Sequence, residues 1–236
     1  MNNLASLFLS QSYQDTWEDY NRSLTSEDFP KWDYIILTAS NENQAIGYQK
    51  QLEIRKEFLP DQTHFAVIPD EGNVRIGSGG ATLSVLRYIY QREERIKGVG
   101  PFSGLRILVI HSGGDSKRVP MYSALGKLFS PVPHRLSNGK SSTLFDEFLI
   151  AMASLPARIR EGMVVLSGDV VLLFNPCEIS EYSCAVTPQI RQAGNRLSGL
   201  AVLPLMRVYS RNALSKPYTS RIDLSCSASM LVIFIR

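Results

Sequence analysis

Three stretches of this sequence carry residue types that, taken together, would hold a polyphosphate. In Ile107-Leu-Val-Ile-His-Ser-Gly-Gly-Asp-Ser-Lys-Arg-Val-Pro120 an apolar strand pattern delivers the chain into Ser112-Gly113-Gly114. Two glycines without side chains let backbone N–H groups approach an anion, and Lys117 and Arg118 supply the charge to neutralise it. Arg118 offers a planar fork suited to phosphate oxygens, and Lys127, just after Gly126 and ahead of Pro131-Val-Pro133, would act as a mobile point charge on the same or an adjacent phosphate. Taken singly, such a stretch is more often a glycine turn with solvated basic residues.

Two further stretches sharpen the reading. Gly77-Ser-Gly-Gly-Ala-Thr82 opens a helical pattern, so the N–H groups around Gly79 and Gly80 would meet a base edge or a phosphate at a helix N-terminus. It is not a dinucleotide fingerprint, because Thr82 stands where the third glycine belongs. Val164-Val-Leu-Ser-Gly-Asp169 puts a carboxylate just past the end of an apolar strand, where Asp169 would bind Mg2+ in a shell shared with substrate phosphates and water. A strand-end Asp is also an ordinary turn former. Other combinations carry less. Gly139-Lys140-Ser141 lacks the first glycine and the strand of a P-loop, Ser112 lacks a nucleophile-elbow context, and His64, His111 and His134 show no ligand or triad spacing, which favours core or surface roles.

The elements that must position these residues alternate between strand and helix patterns. Asp33–Thr38, His64–Ile68, Leu105–His111 and Met163–Ser167 are short, β-branched and apolar on both faces, the mark of buried parallel strands. Between them, helices are predicted over Asn43–Phe58, with a poor stripe through Ile46, Gln49, Leu52 and Lys56, and over Thr82–Lys97, with Leu83, Leu86, Ile89 and Tyr90. A third runs over Thr143–Ile159, with Phe145, Phe148, Leu149, Met152 and Leu155. Residues 1 to 24 read as an amphipathic helix through Leu4, Leu7, Trp17 and Tyr20 that packs on the sheet. The pattern specifies an α/β layered domain with a mostly parallel sheet over residues 1–187.

Composition bounds the function classes. With 44% apolar and 20% charged residues in 236, the chain can bury a sizeable core and is neither disordered nor collagen-like. No run approaches the length of a membrane span and no positively charged region precedes Leu4–Leu9, which predicts a soluble, unexported, cytoplasmic protein without membrane partners. Three cysteines without CxxC spacing favour neither a disulfide framework nor zinc. The net charge of +3 hides an asymmetry, because residues 188–236 hold six Arg, one Lys, one Asp and no Glu. That basic excess lacks aromatic interleaving and any reader motif, so nucleic acid is not an expected partner. The oligomeric state has no signature. After Thr187 periodicity decays and Ser becomes frequent, which predicts an irregular basic tail with at most one short strand, near Leu231–Ile235.

The ordered set GSGGAT, HSGGDSKRVP with its following GK and PVP, and LSGDV resembles the N-terminal domain of the GDP-fucose pyrophosphorylases, including the guanylyltransferase half of bifunctional fucokinase/L-fucose-1-phosphate guanylyltransferases. The likeness spans roughly Leu37 to Thr187. It implies a nucleotidyltransferase-type, Rossmann-like domain that joins L-fucose 1-phosphate and GTP to give GDP-L-fucose and pyrophosphate with Mg2+. It further implies that Gly113, Gly114, Arg118 and Lys127 face the triphosphate, that Gly79 and Gly80 lie at the nucleotide, and that Asp169 holds the metal. The family continues with a sugar-binding half whose pattern does not follow Thr187 here. The tail reads as translation in a shifted frame or a truncated gene product, with a lineage-specific extension as the alternative. The expected activity of the chain is accordingly weak or nil, and a nucleotide-binding remnant is the rival reading.

Overall fold

The structure, a computed structural model, describes residues 3–97, 100–111, 120–122, 126–136, 138–168, 200–204 and 230–234. Four parallel strands form the framework: β1 (Tyr34–Ala39), β2 (His64–Pro69), β3 (Arg106–His111) and β6 (Gly162–Ser167), side by side in the order β2-β1-β3-β6. The register aligns Ile36 with Ala66 and Val109, and Val109 in turn with Val165. These are the strands the apolar runs predict, and helices cover both faces, so the α/β class with a mostly parallel sheet stands.

Each face collects alternate residues of every strand. Ile35, Leu37, Leu108, Ile110, Val164 and Leu166 point to one side and meet α1 (Asn3–Thr25), α2 (Glu42–Ile54) and α4 (Leu144–Met152). Tyr34, Ile36, Ile107, Val109, Met163 and Val165 point to the other and meet Val85 and Ile89 of α3 (Gly77–Lys97).

The helical stripes match the expectations unequally. Phe145, Phe148, Leu149 and Met152 of α4, with Leu155 just beyond it, are all buried as predicted. A capping box starts α4: Thr143 Oγ1 caps the N–H of Asp146 while the Thr143 N–H donates to Asp146 Oδ2 at 2.8 Å. In α2 the buried face is Gln44, Ala45, Tyr48 and Leu52, so of the predicted stripe Leu52 is buried while Ile46, Gln49 and Lys56 are exposed. In α3 the buried line runs Ala81, Val85, Ile89, Glu93, and Leu83 is 67% exposed. Helix α1 buries Trp17 and Tyr20 and packs chiefly against α4, with Leu7 exposed.

Two strands come from the tail, where at most one was expected. β8 (Met230–Phe234) pairs antiparallel with β6, and β7 (Leu200–Pro204) pairs parallel with β8 to extend the sheet to six strands. The sequence signal missed β7 because Leu-Ala-Val-Leu-Pro is too short to show a period against its surroundings. A hairpin of β4 (Pro131–Arg135) and β5 (Ser141–Thr143) forms a separate small sheet. Gly139 turns at positive φ between them, so the rejected Gly139-Lys140-Ser141 stretch is a hairpin turn, with Lys140 Nζ 3.8 Å from the centre of the Phe58 ring. Among the described residues no helix is long and apolar enough to cross a membrane.

Candidate functional site

The parallel strands end together, and what they end in is polar. Thr38 pairs with His111 and His111 pairs with Ser167, a single row across β1, β3 and β6 on the face that α3 covers. The residues one step inward on the same face, Ile36, Val109 and Val165, are apolar and buried. Thr38, His111 and Ser167 therefore form the floor of a cavity at the C-terminal ends of the strands, the place where open α/β sheets bind ligands. Its volume is about 290 Å³, and its walls include Ala39, Ser40, Asp70, Arg75, Gly77, Ser78 and Ala81.

Local sequence explains each wall. Asn41 caps α2 by accepting from the Gln44 N–H, and Gln44 Oε1 reaches back to the N–H of Ser40 at 2.8 Å, fixing Ser40 at the end of β1. Asp70 follows β2 and donates its backbone N–H to the Ala39 carbonyl at 2.8 Å, which holds the two strand ends together. Gly77 begins α3 at a φ of +72°, a conformation L side chains rarely adopt, and so turns the chain from Arg75 into the helix beside the cavity.

His111 is the hub of the floor. Thr82 Oγ1 donates to the Ser78 carbonyl at 2.9 Å, so its contact of 2.9 Å with His111 Nε2 requires a proton on that nitrogen. Nδ1 then accepts from Thr38 Oγ1 at 3.0 Å. Burial favours this neutral ring and pushes its pKa down to about 4. Asp70 is 9% exposed, and burial raises its pKa, opposed by a hydrogen bond from the Ile76 backbone and by the charge of Arg75.

Beyond the floor, Gly168 donates its N–H to the His111 carbonyl at 2.7 Å. A Cβ on Gly168 would stand 2.5 Å from that oxygen, so the glycine of LSGDV is demanded by close backbone approach. β3 and β6 thus end side by side at the points where HSGGDSKR and SGDV continue in sequence.

The predicted site residues fall in three places. Gly79 and Gly80 lie in the first turns of α3, next to the wall that Gly77, Ser78 and Ala81 make. Lys127 is half-buried beside Gly126, which abuts Gln44 and Tyr48 of α2, and it is not among the residues lining the cavity. Gly113, Gly114, Lys117, Arg118 and Asp169 lie outside the described residues. Among the described residues no group of three or more His, Cys, Asp or Glu side chains could hold a metal ion. Ser167, two residues before Asp169 in the sequence, lines the cavity.

The sequence reading missed Thr38, Ser40, Asp70, Arg75 and His111. The available signal was positional: in each of three apolar runs the first polar residue on one face falls at the same register, Thr38, His111 and Ser167.

A mostly parallel sheet with its cavity at the strand ends defines an open α/β protein of the kind that binds a ligand across those ends. Residues 101–202 match the fucose pyrophosphorylase domain family, bearing out the family resemblance, taking in the HSGGDSKRVP and LSGDV motifs and extending fifteen residues beyond Thr187. Among curated relatives, a fucose-1-phosphate guanylyltransferase of Mus musculus is 35% identical over 154 residues, 64% of this chain and 24% of the relative. A protein of the same name from Homo sapiens is 34% identical over 147 residues, 61% of this chain and 23% of the relative. A bifunctional fucokinase/GDP-fucose pyrophosphorylase of Arabidopsis thaliana is 33% identical over 169 residues, 62% of this chain and 16% of the relative. The chain thus spans a quarter or less of the length of these relatives. No solved structure matches it.

Proposed function

We propose that residues 1–187 form the nucleotide-gripping part of a nucleotidyltransferase whose reaction joins L-fucose 1-phosphate and GTP to give GDP-L-fucose and pyrophosphate. The observation that carries this reading is the polar row Thr38-His111-Ser167, which opens a cavity where two of the three family motifs leave the sheet and the third begins α3. The relatives' names supply the sugar phosphate and the guanylyl group.

In that reaction a sugar phosphate oxygen attacks the α-phosphorus of GTP in line, the bond to the β-phosphate oxygen breaks, and pyrophosphate leaves. The nucleophile is already an anion, so the protein's task is alignment and charge neutralisation rather than proton removal. Gly113 and Gly114 would give backbone N–H groups, Arg118 and Lys127 would be the catalytic cations, and Lys117 would add charge at the nucleotide. Asp169 would hold Mg2+, which when bound neutralises charge on the phosphate oxygens. His111, held neutral between Thr38 and Thr82, positions the strand end after which Ser112-Gly113-Gly114 follow in sequence.

In-line transfer needs the sugar phosphate gripped as firmly as GTP, and a misplacement of about 1 Å costs on the order of 10²-fold. The chain spans a quarter or less of the relatives' length, and on this reading the purified chain should bind GTP with Mg2+ and turn over at least about 10²-fold more slowly than such a relative. A coupled pyrophosphate-release assay with L-fucose 1-phosphate, run beside thermal melts with GTP and with NAD, tests both halves. Protection by GTP alone with slow release is expected. Equal protection by NAD, or none by any triphosphate, would overturn the nucleotide reading, and turnover at ordinary enzyme rates would overturn the weak-activity reading.

A further inference from the structure

The cavity floor ends on β3 and β6, but its far wall reaches Asp70, beyond the end of β2. β2 lies two strands from β3 in the sheet. At the usual spacing between strands that separation is about 10 Å, comparable to the reach of a nucleoside from its base edge to its phosphate. A ligand with its phosphates at the β3 end and its nucleoside laid across β1 would bring its base to Asp70.

The chemistry of that wall is uneven. Ala39 and Ala81 are small, which leaves a slot, and Asp70 is a nearly buried carboxylate that accepts from the Ile76 backbone and faces the Arg75 charge, with lone pairs left over for a ligand. A carboxylate accepts hydrogen bonds and, when ionised, gives none. The guanine edge offers two adjacent N–H donors, at N1 and the exocyclic N2, next to the O6 acceptor. Adenine instead presents a lone pair at N1, which faces a carboxylate with repulsion, and uracil presents one N–H between two carbonyls. A buried group left without its partner by the wrong base is the strongest source of discrimination a small pocket has.

We infer that Asp70 reads the base of the bound nucleotide by accepting from the N1–H and N2–H groups of guanine. This rests on the nucleotide-binding reading above and adds to it the residue that sets base preference.

Competition binding of GTP, ITP, XTP and ATP to the full chain with Mg2+, in wild type and Asp70→Asn, tests it. Wild type should prefer GTP to ITP, which lacks the 2-amino group, by about tenfold, and should reject ATP more strongly. In Asp70→Asn the amide N–H should pair with the 2-oxo group of xanthine, so the GTP to XTP ratio should fall at least about tenfold while the triphosphate still protects the fold. Equal binding of GTP, ITP and ATP by wild type would overturn the proposal without need of the variant, as would an unchanged GTP to XTP ratio in a folded Asp70→Asn. Loss of binding with 2′,3′-dideoxy-GTP but no base preference would assign Asp70 to the ribose instead. Failure of every triphosphate to bind would overturn the parent reading, and this one with it.

Discussion

The two faces of the sheet are built to different standards. On the face covered by α1, α2 and α4, large side chains from three helices close over the strands, with Phe145, Phe148, Leu128 and Tyr48 fully buried. Trp32 ties in the far end of α4 by donating its indole N–H to the Met152 carbonyl at 3.0 Å, and Arg55 joins α2 to the capping box of α4 through Asp146 at 3.0 Å. The face covered by α3 is thinner and more polar. There Tyr34 hydrogen-bonds buried Glu93, His64 meets the Tyr88 hydroxyl at 2.9 Å, and the outermost row is Thr38-His111-Ser167. One face supplies the apolar burial that stabilises the fold, and the other leaves the strand ends open to a ligand.

The largest effect should come from breaking the thick face. Phe148→Ala should cost about 3–5 kcal/mol, because three helices hold the site and cannot collapse into the gap. Ile89→Ala on the α3 face should fall near the low end of the ~2–5 kcal/mol range for such changes, since one helix can settle inward. Urea unfolding of both variants measures this, and equal losses would abolish the contrast.

A smaller effect should come at the seam between β3 and β6. Gly168→Ala forces a methyl against the His111 carbonyl, which is backbone and cannot swing aside. A loss of about 1–3 kcal/mol is expected, in line with other overpacked sites, together with weaker protection by GTP because the floor residue moves. Unchanged melts with and without GTP would show that the two strand ends are not held so closely.

The smallest effect is a pH dependence confined to the polar row. The folded pKa of His111, about 4, lies below the unfolded value of about 6.5, so the unfolded chain takes up a proton first as pH falls. The stability contributed by the neutral ring is complete above about pH 6.5 and is lost down to about pH 4, with a slope of at most about 1.4 kcal/mol per pH unit. His64, also lowered by burial, acts in the same direction. Asp70, raised by burial, acts in the opposite sense, its contribution falling as pH rises from its unfolded value through its folded one. Subtracting the profile of His111→Asn from that of wild type isolates the histidine. A difference that stays flat between pH 4 and 6.5 would remove His111 from the buried row.

The same contrast explains what could be read from sequence. The four parallel strands were legible because burial on both faces leaves unbroken apolar runs, and α4 because Phe145, Phe148, Leu149 and Met152 face one dense layer. The stripe of α3 was misread because its inner line contains Glu93 and Ala81 while Leu83 lies outside, so hydrophobicity was a poor guide to burial on the thin face. The cavity was legible only where Gly77, Ser78 and Ala81 of the GSGGAT motif line it. Glycine motifs announce themselves locally, whereas Thr38, Asp70 and His111 are ordinary residues in sequence and meet only through the register of three strands.

β8 lies between β6 and β7, yet among the described residues it is the last strand in sequence. During synthesis the parallel strands leave the ribosome first, and until residues 230–234 follow, the β6 edge lacks the strand that pairs with it in the finished sheet. Such an edge is a template for any extended segment, including one from another copy of the same chain. The wait is a few seconds or more at ordinary translation rates. Crowding of nascent chains on one message should therefore favour edge-to-edge misassembly, and the yield of soluble protein should depend on expression rate more than on the stability of the finished fold.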